Sequence, residues 1–227
     1  MLNRLLRDGP VLIINLKTYD KGTSIDALKV AVAAERAAEK TGKKVILAAQ
    51  PTDILLITNK TKIPVIAQHI DCFEQGAHTG SISAEAVLRA GAIGTLLNHS
   101  EKQISKEDIA KTMKICKSHG LFVVLCADTP EHAYELSKNT PNFIAIEPPE
   151  LIGTGKSISE VEPELIDKTI RLVSKNCDSP VICGAGVSTK KDVIEAFKHG
   201  VKGILVSSAV VKSDNPYNTI LELLAGF

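Results

Sequence analysis

The sequence predicts an α/β fold of the (β/α)8 class, a parallel eight-stranded barrel ringed by helices. Three observations carry that expectation. Eight short β-branched runs recur along 227 residues, one for roughly every 28 positions. They are near-continuously apolar rather than alternating, as parallel strands covered on both faces are. Helical patterns lie between them with no Pro/Ser-rich linker and no shift of composition, so residues 1–227 read as one barrel domain at the small end of the size range. A doubly wound open sheet is the competing arrangement, but no G-x-G-x-x-G follows the first run.

The first run, Val11–Lys17, ends in Asn15 and Lys17, and a spacing of two puts both side chains on one side of a strand. Thr23-Ser24-Ile25-Asp26 then has the pattern of a capping box. Val45–Gln50 and Pro64–Gln68 follow as the second and third strands. The fourth, Ile93–His99, runs into Ser100-Glu101-Lys102, a helix start with Ser100 near its cap. A histidine at a helix N-terminus has its imidazolium disfavoured by the dipole, so His99 stays neutral and can donate a hydrogen bond to a carbonyl. Ser105 to Asp108 reads as a second capping box, ahead of a stripe of Ile109, Met113 and Cys116.

Phe122–Ala127 and Phe143–Glu147 are the fifth and sixth strands. Glu147 is in phase with Phe143 and Ala145, so if those two face the barrel interior the carboxylate is carried inward at its mouth, where burial raises its pKa toward a general base's range. Pro148-Pro149 stiffens one end of the next segment and Gly153-Thr154-Gly155 frees the other, the construction of a hinged lid. Ser159 to Glu162 reads as a third capping box, with Val161, Leu165, Leu172 and Val173 on one stripe. Pro180–Gly186 and Gly203–Ser208 are the last strands, with the box Thr189 to Asp192 and the stripe Val193, Phe197 between them. The small residues of Gly184-Ala185-Gly186-Val187-Ser188 and Ser207-Ser208 fill the two loops that cradle phosphate in many barrels, where the backbone must approach an anion closely.

Composition excludes other classes. Lys+Arg 27 against Asp+Glu 26 leaves a net charge of +1, with no field for nucleic acid or an anionic membrane. The longest early apolar run is too short for a secretory core or a bilayer span. Five cysteines without a C-x-x-C pair or zinc-like His spacing read as reduced thiols of a cytoplasmic protein, and no metal site is expected.

Taken in order, Asn15-Leu16-Lys17, Asn98-His99-Ser100-Glu101-Lys102, Glu147-Pro148 through Ile152-Gly153-Thr154-Gly155 and the two phosphate loops resemble the triosephosphate isomerase family, over nearly the whole chain. The short length, the lack of Trp and Pro149-Glu150-Leu151 in the lid look like its compact archaeal branch. Ser81 and Ser207-Ser208 depart from the acid and the Gly-Gly pair common in the family. The resemblance implies a TIM barrel that interconverts dihydroxyacetone phosphate and glyceraldehyde 3-phosphate through an enediolate, in glycolysis and gluconeogenesis, without cofactor or metal. It also implies the family's division of labour between a glutamate base, a neutral histidine and a closing loop. Glu147 would be the base, His99 the electrophile, Lys17 and Asn15 the fixed donors, and Glu101 the ion-pair partner that orients Lys17. Ile152 and Gly153 in the lid, with Gly186, Ser188, Ser207 and Ser208, would hold the phosphate. Gln75-Gly76-Ala77-His78-Thr79-Gly80 looks like the third loop, which in relatives inserts into a neighbouring subunit. That implies a homo-oligomer, with a tetramer favoured by the compact branch and a dimer as the other possibility.

Glu150 is the rival carboxylate, and its place in the lid suits a surface or latch role better than a base. Another phosphate-binding barrel isomerase or epimerase is the alternative function, since fold and phosphate loops are common to all of these. A non-catalytic barrel is the alternative of another class, and it predicts a broken catalytic set.

Overall fold

All eight apolar runs form strands in the computed structural model, which describes residues 9–151 and 157–227. They are β1 (Val11–Asn15), β2 (Lys44–Ala49), β3 (Val65–Ala67), β4 (Gly94–Leu97), β5 (Phe122–Ala127), β6 (Phe143–Ile146), β7 (Val181–Cys183) and β8 (Gly203–Val206). Each pairs in parallel with the next, and β1 closes on β8 through Val11 opposite Gly203 and Ile14 opposite Val206. Helices α1 (Ser24–Thr41), α2 (Pro51–Lys60), α3 (Ala84–Arg89), α4 (Lys106–Ser118), α5 (Pro130–Ser137), α6 (Ile158–Val161), α7 (Pro163–Val173), α8 (Lys190–Lys198), α9 (Ser208–Val211) and α10 (Pro216–Leu224) fill the connections.

Alternation along each strand sorts the apolar side chains into two cores. Val11, Ile13, Ile46, Ile66, Leu96, Val124, Ala145, Ile182 and Leu205 fill the barrel, floored by Phe122 and Phe143 packed edge to face. Leu12, Ile14, Leu47, Leu125, Ile144 and Val206 point outward to the helices. Gly184, just past β7, admits the backbone of β8: a Cβ there would lie 1.5 Å from the Leu205 carbonyl oxygen. Gly184→Ala is therefore expected to cost more than about 3 kcal/mol, because the clash is with backbone that cannot rotate away. Urea unfolding checks it, and a loss below about 1 kcal/mol would contradict the close approach.

One of the expected capping boxes forms in full, and a second keeps only its serine cap. Ser105 Oγ accepts from the Asp108 N–H, and Thr189 with Asp192 makes the reciprocal pair. Thr23 precedes α1, but its hydroxyl donates to the Tyr19 carbonyl and accepts from Gln50 Nε2 instead of capping. Ser159 lies inside α6, not at a cap. Pro163 cannot continue a helix and suits the first position of a new one, so the chain restarts there as α7. The single stripe from Val161 to Val173 is thereby broken: Val161 is half exposed, and α7 buries Ile166, Thr169 and Val173.

Candidate active site

The polar residues that end the strands meet over a cavity of about 120 Å³ at the carboxyl end of the barrel. Asn15, Lys17, His99 and Glu147 line one side, and the loops after β7 and β8 line the other. A larger hollow of about 630 Å³ lies among α1, α2, β2 and β3, is walled by Ala38, Val45, Ile63 and Val65 among others, and includes none of these four residues.

Asn15 continues the inward phase of Val11 and Ile13 and is buried. Its Oδ1 accepts from the Lys17 N–H at 3.0 Å, a local turn that accommodates Lys17 in the left-handed region at φ 49°. Lys17 thus joins Asn15 at the cavity through a turn, not by continuing the strand. Gln68, at the end of the third apolar run, donates to the carbonyls of Lys17 and Ala48 and holds that turn from the side. The Lys17 ammonium lies 2.6 Å from Glu101 Oε1.

His99 is carried in by Asn98, whose φ of 58° turns the chain off β4. Asn98 Nδ2 donates to the Cys126 carbonyl and Oδ1 accepts from the Ile104 N–H, tying β4 to β5 and to the descending loop. The expected helix start at Ser100 is not there: α4 opens at Lys106, and a tight turn closed by the Lys102 N–H on the His99 carbonyl intervenes. No helix terminus therefore governs the ring. Its Nδ1 accepts from the Glu101 N–H at 3.2 Å. A nitrogen that accepts holds its lone pair, so a neutral ring carries its proton on Nε2, which faces the cavity.

Glu147 stands in phase with Phe143 and Ala145, both of which face the barrel interior. Its Oε2 is buried, lies 3.5 Å from His99 Nε2 and has no hydrogen-bond partner among the described residues. Burial raises its pKa above the usual carboxylate range, against the pull of His99 and Lys17. A desolvated carboxylate with a free lone pair beside an N–H donor is equipped to take a proton from carbon. The same burial, with the Glu147 charge nearby, pushes the Cys126 thiol well up, so it stays protonated and unreactive.

Opposite this pair, Gly186 (φ 74°), Ser207 and Ser208 line the cavity, and the first N–H groups of α9 have no intrahelical acceptor, as at any helix start. Ser188 also lines it, but its N–H donates to Asp192 Oδ2 at 2.9 Å and its hydroxyl to the same oxygen at 3.4 Å. The turn Pro149–Leu151 leads out of β6 with Glu150 exposed. Ile152 and Gly153, expected in the lid, lie outside the described residues, which stop at Leu151 and resume at Ser157. The chain returns at Ser157, hydrogen-bonded to Ser159, which donates in turn to the Asp192 carbonyl.

Sequence reasoning missed Gln68 and Tyr19. Gln68 ends an apolar run as Asn15, His99 and Glu147 end theirs, and that was its signal. Tyr19 lies two residues beyond Lys17 and lines the same cavity as Ser208, a position that depends on how the loop folds.

A sequence model described as triosephosphate isomerase matches residues 10–224. The chain belongs to the triosephosphate isomerase family. It is 41% identical to the triosephosphate isomerase of Methanobacterium bryantii, over 97% of this chain and 98% of the relative. It is 40% identical to that of Methanocaldococcus jannaschii, over 94% and 98%. For Pyrobaculum islandicum the identity is 41%, over 94% of each chain. These relatives are archaeal, in line with the branch the sequence resembles. As a member of the family the chain is an isomerase on a TIM barrel.

Proposed function

We propose that this isomerase interconverts dihydroxyacetone phosphate and glyceraldehyde 3-phosphate, with Glu147 moving the proton. The observation that carries the reading is the buried Glu147 Oε2, without a hydrogen-bond partner among the described residues, facing His99 Nε2 at 3.5 Å. Glu147 takes a proton from the carbon next to the substrate carbonyl. The electron pair left behind forms the enediolate. The proton of the neighbouring hydroxyl passes to the former carbonyl oxygen by way of His99, and Glu147 returns its proton to the former carbonyl carbon, so that the C=O re-forms on the carbon it deprotonated. His99 Nε2–H donates to the oxygen that becomes negative, and the Lys17 ammonium and Asn15 amide add fixed donors. Glu101 holds Lys17 in place. Gly186, Ser207 and Ser208 receive the phosphate, and Ile152 and Gly153 close over it and keep water from the enediolate. Ser188 acts from behind, by fixing the loop through Asp192. No cofactor or metal has a part in these steps.

A coupled dehydrogenase assay on metal-free protein tests this. Turnover of glyceraldehyde 3-phosphate supports the reading, and its absence in protein that still binds phosphate sends the chemistry to another sugar-phosphate isomerisation or epimerisation. We place the enzyme in the cytoplasm, in keeping with its five free cysteines. None of the described helices is long and apolar enough to cross a membrane.

We also propose a homo-oligomer, a tetramer before a dimer. Gln75 to Gly80, the third loop, are all exposed, and exposed Phe73 just before it stacks on His78 at 4.5 Å, an aromatic pair that the described residues leave open to solvent. Sedimentation velocity should give a species of at least two chains at micromolar concentration, and a fully active monomer would contradict the interface.

A further inference from the structure

Two lysines cross between the loops after β1 and β8. From the first loop, Lys21 Nζ donates to the Ser213 carbonyl at 3.1 Å, the Lys212 carbonyl at 3.5 Å and Asp214 Oδ1 at 3.0 Å. From the other, the Lys212 ammonium sits 4.6 Å from the centre of the Tyr19 ring. Each loop thus grips the other through a cation, and each carries cavity residues a short covalent step away. Tyr19 is two residues past Lys17, and the turn between Tyr19 and Lys21 is tight: the Gly22 N–H donates to the Tyr19 carbonyl at 2.8 Å. A Cβ on Gly22 would lie 2.3 Å from the Leu16 carbonyl oxygen, so the turn folds flat onto the segment that carries Lys17. Lys212 in turn donates its N–H to the Ser208 carbonyl, one helical turn from Ser207 and Ser208.

The charges alone explain little. Lys21 and Lys212 are exposed, and exposed ion pairs such as Lys21 with Asp214 are weak. What they supply is distance and angle: two carbonyls fixed by one ammonium, and a ring fixed by the other. Tyr19 lines the same cavity as Ser207, Ser208 and Ala209.

We propose that Tyr19, Lys21 and Lys212 form a positioning clasp that sets the span between Lys17 and the Ser207–Ser208 loop, and so the fit of the cavity to a phosphate group. The inference rests on the phosphate-binding role proposed for that loop. None of the three is a catalytic residue; each acts through the spacing of the residues that receive the ligand.

Inorganic phosphate is the probe, measured by titration calorimetry on the full chain, which reads binding without turnover. Lys212→Met and Tyr19→Leu should each weaken phosphate binding about 2- to 5-fold, the range of a cation over a ring at an exposed site. Tyr19→Phe, which keeps the ring, should restore it. Because the two changes remove one contact, the double variant should lose no more than the larger single loss. In turnover assays Lys212→Met should raise KM by the same factor with kcat within about twofold, a split that general loosening of the fold would not produce. Effects that multiply in the double variant, or unchanged phosphate affinity in Lys212→Met, would overturn the clasp. If Tyr19→Leu fails to fold, Lys212→Met still decides, since its side chain is on the surface. Wild-type protein that binds phosphate but does not isomerise trioses would overturn the proposed reaction and leave the clasp standing.

Discussion

Glu147→Gln is expected to lower kcat by about two to four orders of magnitude, the contribution of a positioned general base. The amide has nearly the same shape, so the cavity and its phosphate affinity should survive. Stability should not fall. The folded state holds the Glu147 proton more tightly than the unfolded chain, because burial raises its pKa. Its contribution to stability is therefore fully present below the unfolded pKa and is lost as pH rises through the raised folded value. At neutral pH the charged carboxylate opposes folding, and glutamine relieves that cost. Thermal unfolding at pH 7 should give a melting temperature equal to or above wild type. In the wild-type enzyme kcat/KM should fall on the acid side through a pKa above the ordinary carboxylate range, and the residual activity of Glu147→Gln should lack that limb. Glu150→Gln is the control: exposed on the lid's first turn, it should stay within about twofold of wild type. A lethal Glu150→Gln beside an active Glu147→Gln would reverse the assignment.

Lys17→Ala is expected to reduce kcat/KM by about 10²- to 10³-fold, the loss seen when a preorganised donor to developing charge is removed. The ammonium pairs with Glu101 at the mouth, and the Lys17 side chain is only 11% exposed. Both KM and kcat should suffer, since the role proposed for Lys17 sets its charge against the phosphate in the ground state and the enediolate during reaction. Lys17→Arg should not rescue, because a planar guanidinium cannot occupy the position of a compact ammonium held at 2.6 Å by Glu101. The fold should tolerate either change: Glu101 is 56% exposed, and losing such a pair costs at most about 1 kcal/mol. Steady-state kinetics beside circular dichroism separate the outcomes, and a variant with full kcat and raised KM alone would confine Lys17 to binding.

The barrel was legible because the same residues encode it twice. β-branched runs such as Phe122–Ala127 are apolar at every position, as a strand covered on both faces must be, and they are too short for a buried helix. Glu147 was legible for a related reason: alternation is rigid, so Phe143 and Ala145 facing inward commits Glu147 to the interior. Where the chain leaves regular structure, that rigidity ends. Lys17 reaches the cavity through a left-handed turn and not by strand phase, and His99 takes its orientation from the Glu101 N–H instead of from a helix at Ser100. Pro163 split what periodicity joined, since a stripe counts apolar side chains and ignores a missing N–H.

Local sequence thus determined the strands, the residues that end them, two of the caps and the resemblance to a family, because each depends on spacing along a few residues. Only the tertiary structure decided the rest. It placed Glu147 Oε2 against His99 Nε2, turned Ser188 toward Asp192, set Gln68 behind Lys17 and brought Lys21 and Lys212 across to the opposite loop. Those contacts join residues up to 193 positions apart, and closure of β1 on β8 is what makes such distant loops neighbours.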